Sequence, residues 1–500
     1  MATDSKKMYI HYLIALVFGL LILLAPGGNH LTKQGVYVLA ISLPMLYLWV
    51  IGADMAWTSL LFLGLVIMAR LMPVATVWNT SIGNANVVLV MVFLVLDGCL
   101  NETGAIKKLA NWFITRNFIQ GRPYAFLCMF FGANLFIGLW MQNLALAVMY
   151  LALTKKLCDQ LGLEKKDKLF QVLMCGTLWG NGVLSISTPI AKFFPNLIIG
   201  WINTNLGVQI TFAQWFLFGV PFVVIMFILM MIVVRLINPD VSALKKFNVA
   251  EYKKNEDPPL GMRGKIALVT MLIVILVILL PDFFIRGNLF TAGTVPHRVF
   301  SYLMGLGAVV PAVVAVGALA LIRAEGKPVM DMKAGLANIN IGFIFFLAAT
   351  IFMGDVVNLS FPTGAETAEG VAIMGGIGPW LGSIFGPMVQ GMAPFAVVMI
   401  LVVLAVALTN VTTNVVVLMV FIVLGTPLMV GGISPTTLVI IMGFSIMMAC
   451  ATPPSVVTAA LYYGPGHIKP GEVLKFNIMF LIAAIIGIAI MVPIVSAVVG

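Results

Sequence analysis

The sequence predicts an all-α polytopic membrane protein, and three observations support this class. Of the 500 residues, 61% are hydrophobic and 9% are charged, whereas a soluble domain is about 45–50% apolar and about 25% charged. Apolar runs such as 215–234, 266–280, 396–408 and 476–499 recur along the chain, and each is roughly long enough, alone or with its flanks, to cross a bilayer core of about 30 Å. The apolar and polar alternation of a membrane β-barrel does not persist, so the spanning elements are expected to be helices.

The chain divides near its middle into two parts of similar size. A first membrane helix is expected within 1–34, because the apolar stretch after Lys6 and Lys7 is too long for a signal peptide and further apolar runs follow it. The hydrophilic connection 239–264 then separates a first repeat, 35–238, from a second repeat, 265–500, each with scaffold and transport parts. We count about five spans in each repeat and about 11 transmembrane helices in all. Because an odd number of spans reverses the second repeat, two inverted repeats are predicted.

The net charge of +10 is spread over several connections, among them 107–122, 155–168 and 245–265. Basic connections are typical of the cytoplasmic side of a membrane protein, and the charges form no single patch that would indicate a nucleic-acid partner. We therefore expect a multi-pass protein of the inner membrane, in contact with lipid. The five cysteines lack metal-ligand or disulfide spacing, so neither a metal site nor a resident cofactor is predicted.

Each repeat contains a polar cluster within apolar sequence, followed by a further span and a Thr-Pro pair. The clusters are 140–143 (WMQN) and 409–414 (TNVTTN), and the pairs are Thr188-Pro189 and Thr452-Pro453. Because proline removes a backbone donor and frees a carbonyl one turn back, each pair is expected to break or kink a helix. Interruptions at corresponding places of two repeats are typical of transporters whose binding site lies between the repeats.

The polar clusters are the candidate binding groups. The stretches 124–153 and 393–424 are each interrupted near the middle and are predicted to form re-entrant hairpins. Interrupted helices expose N–H groups that attract anions at their N-terminal ends and carbonyls that attract cations at their C-terminal ends. Such ends can hold an anion without a charged side chain. The alternative is that these amides and hydroxyls only join helices, by hydrogen bonds of about 0.6–2 kcal/mol each.

Two acidic residues, Asp97 and Asp355, stand at the ends of apolar stretches. A gating or coupling role and simple solvation or pairing with a lysine are both open for them. An intramembrane enzyme would need paired aspartates, a Ser/His dyad or an HExxH motif, and Asp355 has no obvious acidic partner. No GxxxxGK[ST] motif for ATP is present either. The chain is therefore not predicted to be an enzyme.

The segment 451–477 (ATPPSVVTAALYYGPGHIKPGEVLKFN) resembles the closing signature of the divalent anion/sodium symporter family, whose members carry dicarboxylates, citrate or sulfate. The Ser-Asn-Thr motif that this family has at each hairpin tip is matched by 142–144 (QNL) and 413–415 (TNV). The stretch 180–182 (GNG) is similar to the family's glycine-containing backbone before the Thr-Pro pair, and 92–116 is similar to its span and basic arm. The likeness covers most of the chain in order, and 451–477 is its individually specific part.

The resemblance implies a homodimer in which a transport part moves against a fixed scaffold, as an elevator. By the resemblance, Asn143 and Asn414 would contact the substrate carboxylates or a coupling ion, with Thr413 and Thr452 beside them. Together with the polar clusters and the Thr-Pro pairs, this predicts the substrate-binding residues Gln142, Asn143, Thr188, Thr413, Asn414, Thr452 and Pro453. The predicted ion-coupling residues are Asn143, Gly182, Thr409, Thr412 and Asn414. Both hydroxyls of the first tip motif are missing, although sodium prefers oxygen ligands. A sodium-coupled symporter and a sodium-independent exchanger therefore both stay open, with Na+ the candidate coupling ion.

These observations together favour a secondary active transporter of small anions, above all of di- or tricarboxylates. The alternatives within transport are a cation/proton antiporter and an oxyanion exporter of the same superfamily.

Overall fold

A computed structural model of the chain describes residues 2–28, 30–190, 192–245, 247, 259–337, 339–366, 372–412, 414–425, 433–453, 455–464 and 466–499. Within these residues the protein is helical, with two short antiparallel strand pairs. The helices before the hydrophilic connection are α1 Ala2–Leu23, α2 Lys33–Val50, α3 Met55–Met68, α4 Val74–Thr80, α5 Ala85–Glu102, α6 Ala105–Ile114, α7 Pro123–Gly138, α8 Asn143–Gln160, α9 Lys168–Leu184, α10 Phe193–Asn205, α11 Phe212–Ile237 and α12 Ser242–Lys245, with a 3-10 turn at Asn117–Ile119.

The second half continues the helical pattern and adds the strands. Its helices are α13 Met262–Arg286, α14 Val295–Gly305, α15 Val309–Leu321, α16 Met332–Ala337, α17 Ile341–Val357, α18 Ile377–Val389, α19 Pro394–Thr409, α20 Asn414–Gly425, α21 Pro435–Ile446, α22 Val457–Tyr463 and α23 Pro470–Val499. The strands are β1 Arg323–Ala324 paired with β2 Lys327–Pro328, and β3 Ser360–Glu366 paired with β4 Ala372–Gly376.

The apolar helices fall into long and short classes. Among the described residues, four helical segments are long and apolar enough to cross a membrane, namely Val74–Glu102, Phe212–Ile237, Met262–Arg286 and Pro470–Val499. A fifth is counted if α14 and α15, bent by 84° at their junction, form one span. Shorter apolar helices of 10–17 residues, such as α7, α19 and α21, are expected of interrupted spans. The predicted all-α polytopic membrane fold is confirmed. The repeat boundaries and the sidedness of the connections stay predictions.

Two pairs of short helices carry the polar clusters at their junctions. In the first hairpin, α7 and α8 flank the tip 139–142, and both helices pack on α9. In the second hairpin, α19 and α20 flank the tip 410–413, and both pack on α21. Each hairpin begins with a proline, Pro123 or Pro394, at the first helical position, where its missing N–H removes no helical hydrogen bond.

The helix behind each hairpin ends before a stretch whose described residues are not helical. Helix α9 ends at Leu184 and is followed by 185–192, the first break; α21 ends at Ile446 and is followed by 447–456, the second break. The two Thr-Pro pairs lie inside these breaks, as the loss of a backbone donor at proline predicts. Residue 191 in the first break and 454 in the second lie outside the described residues.

Buried apolar side chains form two cores. The larger core surrounds the two hairpins and breaks, and it includes the long helices α11 and α23, which pack along each other. The smaller core joins α1, α2 and α3 to α17, for example through Trp49 and Phe346, whose ring centroids are 5.1 Å apart. Phe193, at the start of α10, packs against both cores and stacks on Phe346 at 6.0 Å. The start of α10 therefore lies at the boundary between the two cores.

Candidate substrate site at the hairpin tips

The first tip is bound to the end of α9 through Asn143. The Nδ2 group of Asn143 donates to Ser185 Oγ and to the Asn181 carbonyl, and Asn181 Nδ2 donates back to the Asn143 carbonyl at 3.1 Å. The Gln142 side chain accepts the N–H of Ala145 at 3.0 Å and so caps α8. Gln142 therefore takes the place of a shorter capping residue at the helix N-terminus.

A buried lysine completes the first tip. Lys192, 2% exposed, donates from Nζ to the Met141 carbonyl and to Asn143 Oδ1. On the other side of the tip, the backbone N–H of Gln142 donates to Asp97 Oδ2 at 2.7 Å. The Asp97 carboxylate and the Lys192 ammonium interact electrostatically. The first tip thus lies between one buried positive group and one buried negative group.

Sequence reasoning missed Lys192, because only acidic residues were considered among the charges inside apolar sequence. The available signal was a single basic residue in IAKFFPN, between the Thr-Pro pair and the next apolar run. Any ionisable residue inside the membrane indicates a function by default. Ser185 and Asn181, whose side chains hold Asn143, were also absent from the predicted site.

The second tip is bound to its break through Asn410 and Asn414. Asn410 Oδ1 accepts the N–H groups of Cys450 and Ala451 at 3.0 and 2.8 Å, and its Nδ2 donates to the Met448 carbonyl at 2.9 Å. Thr409 Oγ1 lies 2.9 Å from Asn414 Oδ1, within donating distance. Because the Asn410 amide bonds to three backbone groups of the second break, it has a structural role.

Thr188 and Thr452 make the same hydrogen bond in the two halves. Thr188 Oγ1 donates to the carbonyl of Leu139, the first residue after α7. Thr452 Oγ1 donates to the carbonyl of Asn410, the first residue after α19. Each break is therefore attached to the matching point of its own hairpin.

The other predicted site residues lie around these contacts. Thr412 closes the second tip through its backbone N–H, which donates to the Leu408 carbonyl at 2.9 Å. Pro453 is half-buried beside Thr452, and Thr413 lies outside the described residues. The assignment of all these residues to substrate or ion stays a prediction.

The two halves meet where α9 ends. A Cβ on Gly182 would lie 2.7 Å from the Met447 carbonyl oxygen, so only glycine allows this approach of the two backbones. Met447 in turn receives the Asn414 amide, whose Nδ2 lies 3.8 Å from the Met447 Sδ. A chain of contacts thus runs from Asn143 through Asn181, Gly182 and Met447 to Asn414, and it links the two tips.

The two acidic residues singled out in the sequence have different surroundings. Asp97 contacts the first tip, as described. Asp355 lies near the end of α17, where its Oδ1 accepts a hydrogen bond from Asn205 Nδ2 at 3.2 Å. Only Asp97 of the two therefore makes a described contact with a tip, and a coupling role for either one stays a hypothesis.

The electrostatics of the tips favour an anion. Helices α8 and α20 begin at Asn143 and Asn414, and α10 begins directly after Lys192. The N-terminal end of a helix carries about half a positive charge and presents free N–H groups. Two hairpin tips with an asparagine at each helix start, beside one buried ammonium, can bind a small anion with negative groups at both ends.

Comparison with known proteins agrees with this geometry. The family model described as citrate transporter matches residues 37–444. The sodium-dependent dicarboxylate transporter SdcS of Staphylococcus saprophyticus subsp. saprophyticus is 24% identical over 442 residues, which cover 82% of this chain and 77% of that protein. SdcS of Staphylococcus aureus strain USA300 is 28% identical over 241 residues, which cover 44% of this chain and 45% of that protein.

A solved structure shows the same fold. The crystal structure of the Alcanivorax borkumensis YdaH transporter, described as having an unusual topology, matches with a TM-score of 0.52 at 12% identity and covers 83% of this chain and 86% of that chain. The resemblance to the divalent anion/sodium symporters is confirmed by these findings, and the protein is a multi-pass membrane transporter of the citrate and dicarboxylate type rather than an enzyme. The chain belongs to the citrate transporter family.

Proposed function

We propose that the protein is a secondary active transporter that carries di- or tricarboxylate anions across the inner membrane by an elevator-type mechanism. The observation that carries this proposal is the pair of asparagine-bearing hairpin tips, each attached by a threonine to a broken helix and linked to each other through Gly182 and Met447. Dicarboxylate transport by the SdcS relatives supports the substrate class.

The substrate would bind between the tips. A dicarboxylate has two negative ends, and the N-terminal ends of α8 and α20 offer two positive ends, which are linked through Gly182 and Met447. Lys192 adds a full positive charge on the first side, where Asp97 balances it. Exchange of the hydrogen bonds within each tip for bonds to carboxylate oxygens would keep the buried donors satisfied, which limits the free-energy cost of binding.

The two hydrophobic cores support the elevator motion. Both tips and both breaks belong to the larger core, whereas α1, α2 and α3 belong to the smaller one, and α17 contributes side chains to both. At the boundary, Phe193 stacks on Phe346 with an interplanar angle of 5°. Flat aromatic contacts without hydrogen bonds let one packed unit slide along another at small cost, since no polar group is exposed. The unit that carries the tips would move as a rigid body.

We also propose that two copies of the chain form a homodimer in the lipid bilayer, with Na+ as the coupling ion at the second tip. The family resemblance supports the dimer, and the non-helical backbone of the second break supports a cation site, because unwound backbone in transporters coordinates coupling ions. Cross-linking of the protein in its native membrane would test for the homodimer, and the sodium dependence of uptake would test for the Na+ coupling.

Uptake by proteoliposomes tests the proposal. Labelled succinate, malate, citrate and sulfate are offered with an inward sodium gradient or with choline. We expect uptake of di- or tricarboxylate, and a loss of at least about tenfold in Asn143→Leu and Asn414→Leu, equal to about 1.4 kcal/mol of lost binding. Asn358→Leu is the control, because this amide bonds only to the Gly354 carbonyl of its own helix among the described contacts. Proton flux without uptake of any anion would contradict the proposal in favour of an antiporter.

A further inference from the structure

We infer that the ammonium group of Lys192 occupies the position of a coupling cation at the first hairpin tip, so that this half of the site works without sodium. The inference rests on the proposed function and deepens it, since it names the cation of one half. The observation that supports it is geometric: the Lys192 Nζ donates hydrogen bonds both to the Met141 carbonyl and to Asn143 Oδ1.

These two oxygens are the kind of ligand that a coupling cation uses. Backbone carbonyls of unwound segments and the ends of broken helices coordinate monovalent ions in transporters of this kind. The lysine ammonium is a compact positive charge with three N–H donors. It can therefore bind the same oxygens as a free cation would, while it stays covalently attached to the chain. With 2% of its surface exposed, Lys192 is closed off from water and cannot solvate its charge elsewhere.

The charge at this tip is already balanced. A buried ammonium is tolerated only when a negative group and hydrogen bonds compensate it. Asp97 supplies the negative group: its Oδ2 binds the Gln142 N–H at 2.7 Å, and its buried Oδ1 has no hydrogen-bond partner among the described residues. The tip between Asp97 and Lys192 is therefore electrically neutral before any ion arrives.

A sodium ion would be repelled from the occupied position. At an effective dielectric constant of about 20, a unit charge about 4 Å away changes the binding of an ion about a thousandfold, so the repulsion by Lys192 cancels the attraction that Asp97 would exert on sodium. The Met141 carbonyl and the Asn143 side-chain oxygen, which a sodium ion would need, are also already hydrogen-bonded. Charge and ligand occupancy both exclude sodium from the first tip.

At the second tip, the position equivalent to Lys192 holds an apolar residue. Thr188 and Lys192 stand at the same separation as Thr452 and Val456, so Val456 is the counterpart of the lysine. Val456 is apolar and only half-buried. Among the described residues, the second tip therefore has no counterpart of the Lys192 ammonium.

Sodium-dependent thermal stability of the purified full-length protein tests the inference without transport. Unfolding temperatures are compared in sodium chloride and in choline chloride for the wild type, Lys192→Ala, Lys192→Met and Lys192→Arg. We expect Lys192→Ala, which vacates the position, to gain a sodium-specific rise of about 2 °C or more over the wild type. Lys192→Met fills the space and Lys192→Arg keeps the charge, so neither gains it. Val456→Ala, the matched change at the second tip, responds to sodium as the wild type does.

Three results would overturn the inference. One is a monodisperse Lys192→Ala protein, or Lys192→Ser if the alanine variant does not fold, that gains no sodium response. Another is a sodium response of the wild type that Asn143→Leu abolishes and Asn414→Leu leaves intact, since sodium would then bind beside the lysine. A loss of succinate affinity without a gain of sodium response would make Lys192 a substrate ligand instead, and it would equally overturn the inference.

The stability assay separates this inference from the proposed function. If Lys192→Ala gains the sodium response but no carboxylate is transported by the wild type, the inference holds and the substrate class is wrong. If the wild type transports carboxylate and neither Lys192→Ala nor Lys192→Ser shows the sodium response, the proposed function holds and the inference fails.

Discussion

The first and second hairpin tips share a threonine hydrogen bond and an asparagine at a helix start, but they differ in charge. In each half a threonine of the break donates to the carbonyl that follows the first hairpin helix, and an asparagine starts the second hairpin helix. In each half an aromatic side chain also holds a carbonyl of the break: Trp215 Nε1 donates to Ile186 at 3.0 Å, and Tyr463 OH to Cys450 at 2.7 Å. In the part of the chain that the structure describes, only the first tip lies between a lysine and an aspartate.

This difference distinguishes the hydrogen bonds that maintain the fold from the charged groups that determine ion coupling. Backbone groups at a helix break must be satisfied inside a membrane whatever the substrate is, so both halves keep the threonine and the aromatic donor. Charge inside the membrane is costly and is retained where it acts on an ion or substrate. The lysine at one tip and the valine at the other therefore indicate two halves with unequal roles in ion binding.

The junction between the halves gives the largest expected effect. Gly182→Ala adds a Cβ that would lie 2.7 Å from the Met447 carbonyl oxygen, so the two breaks must move apart. We expect carboxylate uptake to fall at least about tenfold, because displacements of about 1 Å at a site cost up to about a hundredfold. Gly64→Ala is the control, since a Cβ there meets nothing within 4 Å. Normal uptake by Gly182→Ala would show that the halves need not meet at this point.

The aromatic donors give the next effect. Tyr463→Phe removes the hydroxyl that donates to the Cys450 carbonyl and accepts from Asn477 Nδ2 at 2.8 Å. Because two buried groups lose their partner, we expect the free energy of unfolding to fall by about 1–3 kcal/mol, measured by denaturant titration in detergent. Tyr302→Phe, at a tyrosine that is 69% exposed, is the control. An equal, small effect of both substitutions would mean that water replaces the lost bonds in the second half.

The threonine bonds test whether the two halves are held equally. Thr188→Val and Thr452→Val each remove one bond from a break to a tip, and each is expected to lower the free energy of unfolding by about 0.6–2 kcal/mol. Thr80→Val serves as the control, because the Thr80 hydroxyl donates only to Thr76 of its own helix among the described contacts. If one substitution lowers the free energy of unfolding strongly and the other has no effect, the two threonine bonds are not equivalent and the prediction is contradicted.

The smallest expected effect concerns a loop outside the membrane-spanning segments. Burial, and then the nearby Lys155 and Lys165, lower the pKa of His467 below its usual 6.5. The folded protein then binds a proton less readily than the unfolded chain, so the stability from neutral His467 is present above pH 6.5 and decreases as the pH falls below it. We expect the unfolding temperature of His467→Ala to decrease less than that of the wild type on acidification. Identical pH profiles of the unfolding temperature for His467→Ala and the wild type would contradict the prediction.

Much of the candidate site was readable from the sequence because its residues are polar within apolar runs. Asn143, Asn414, Thr188 and Thr452 stand out in this way, and all four contact a tip or a break. Asn410 stood out equally but satisfies backbone groups of the second break. A polar residue in apolar sequence thus indicates that a partner exists, and it does not say whether the partner is a ligand or the backbone.

The sequence by itself determined the membrane-spanning helical class, the two interrupted hairpins and the breaks at the Thr-Pro pairs, because composition, span length and the missing donor of proline act locally. Only the tertiary structure decided that Lys192 lies against Asn143, that Asp97 rather than Asp355 contacts a tip, and that Gly182 meets Met447. These contacts join residues from different helices. Their geometry depends on how the two cores pack, which no local pattern of residues specifies.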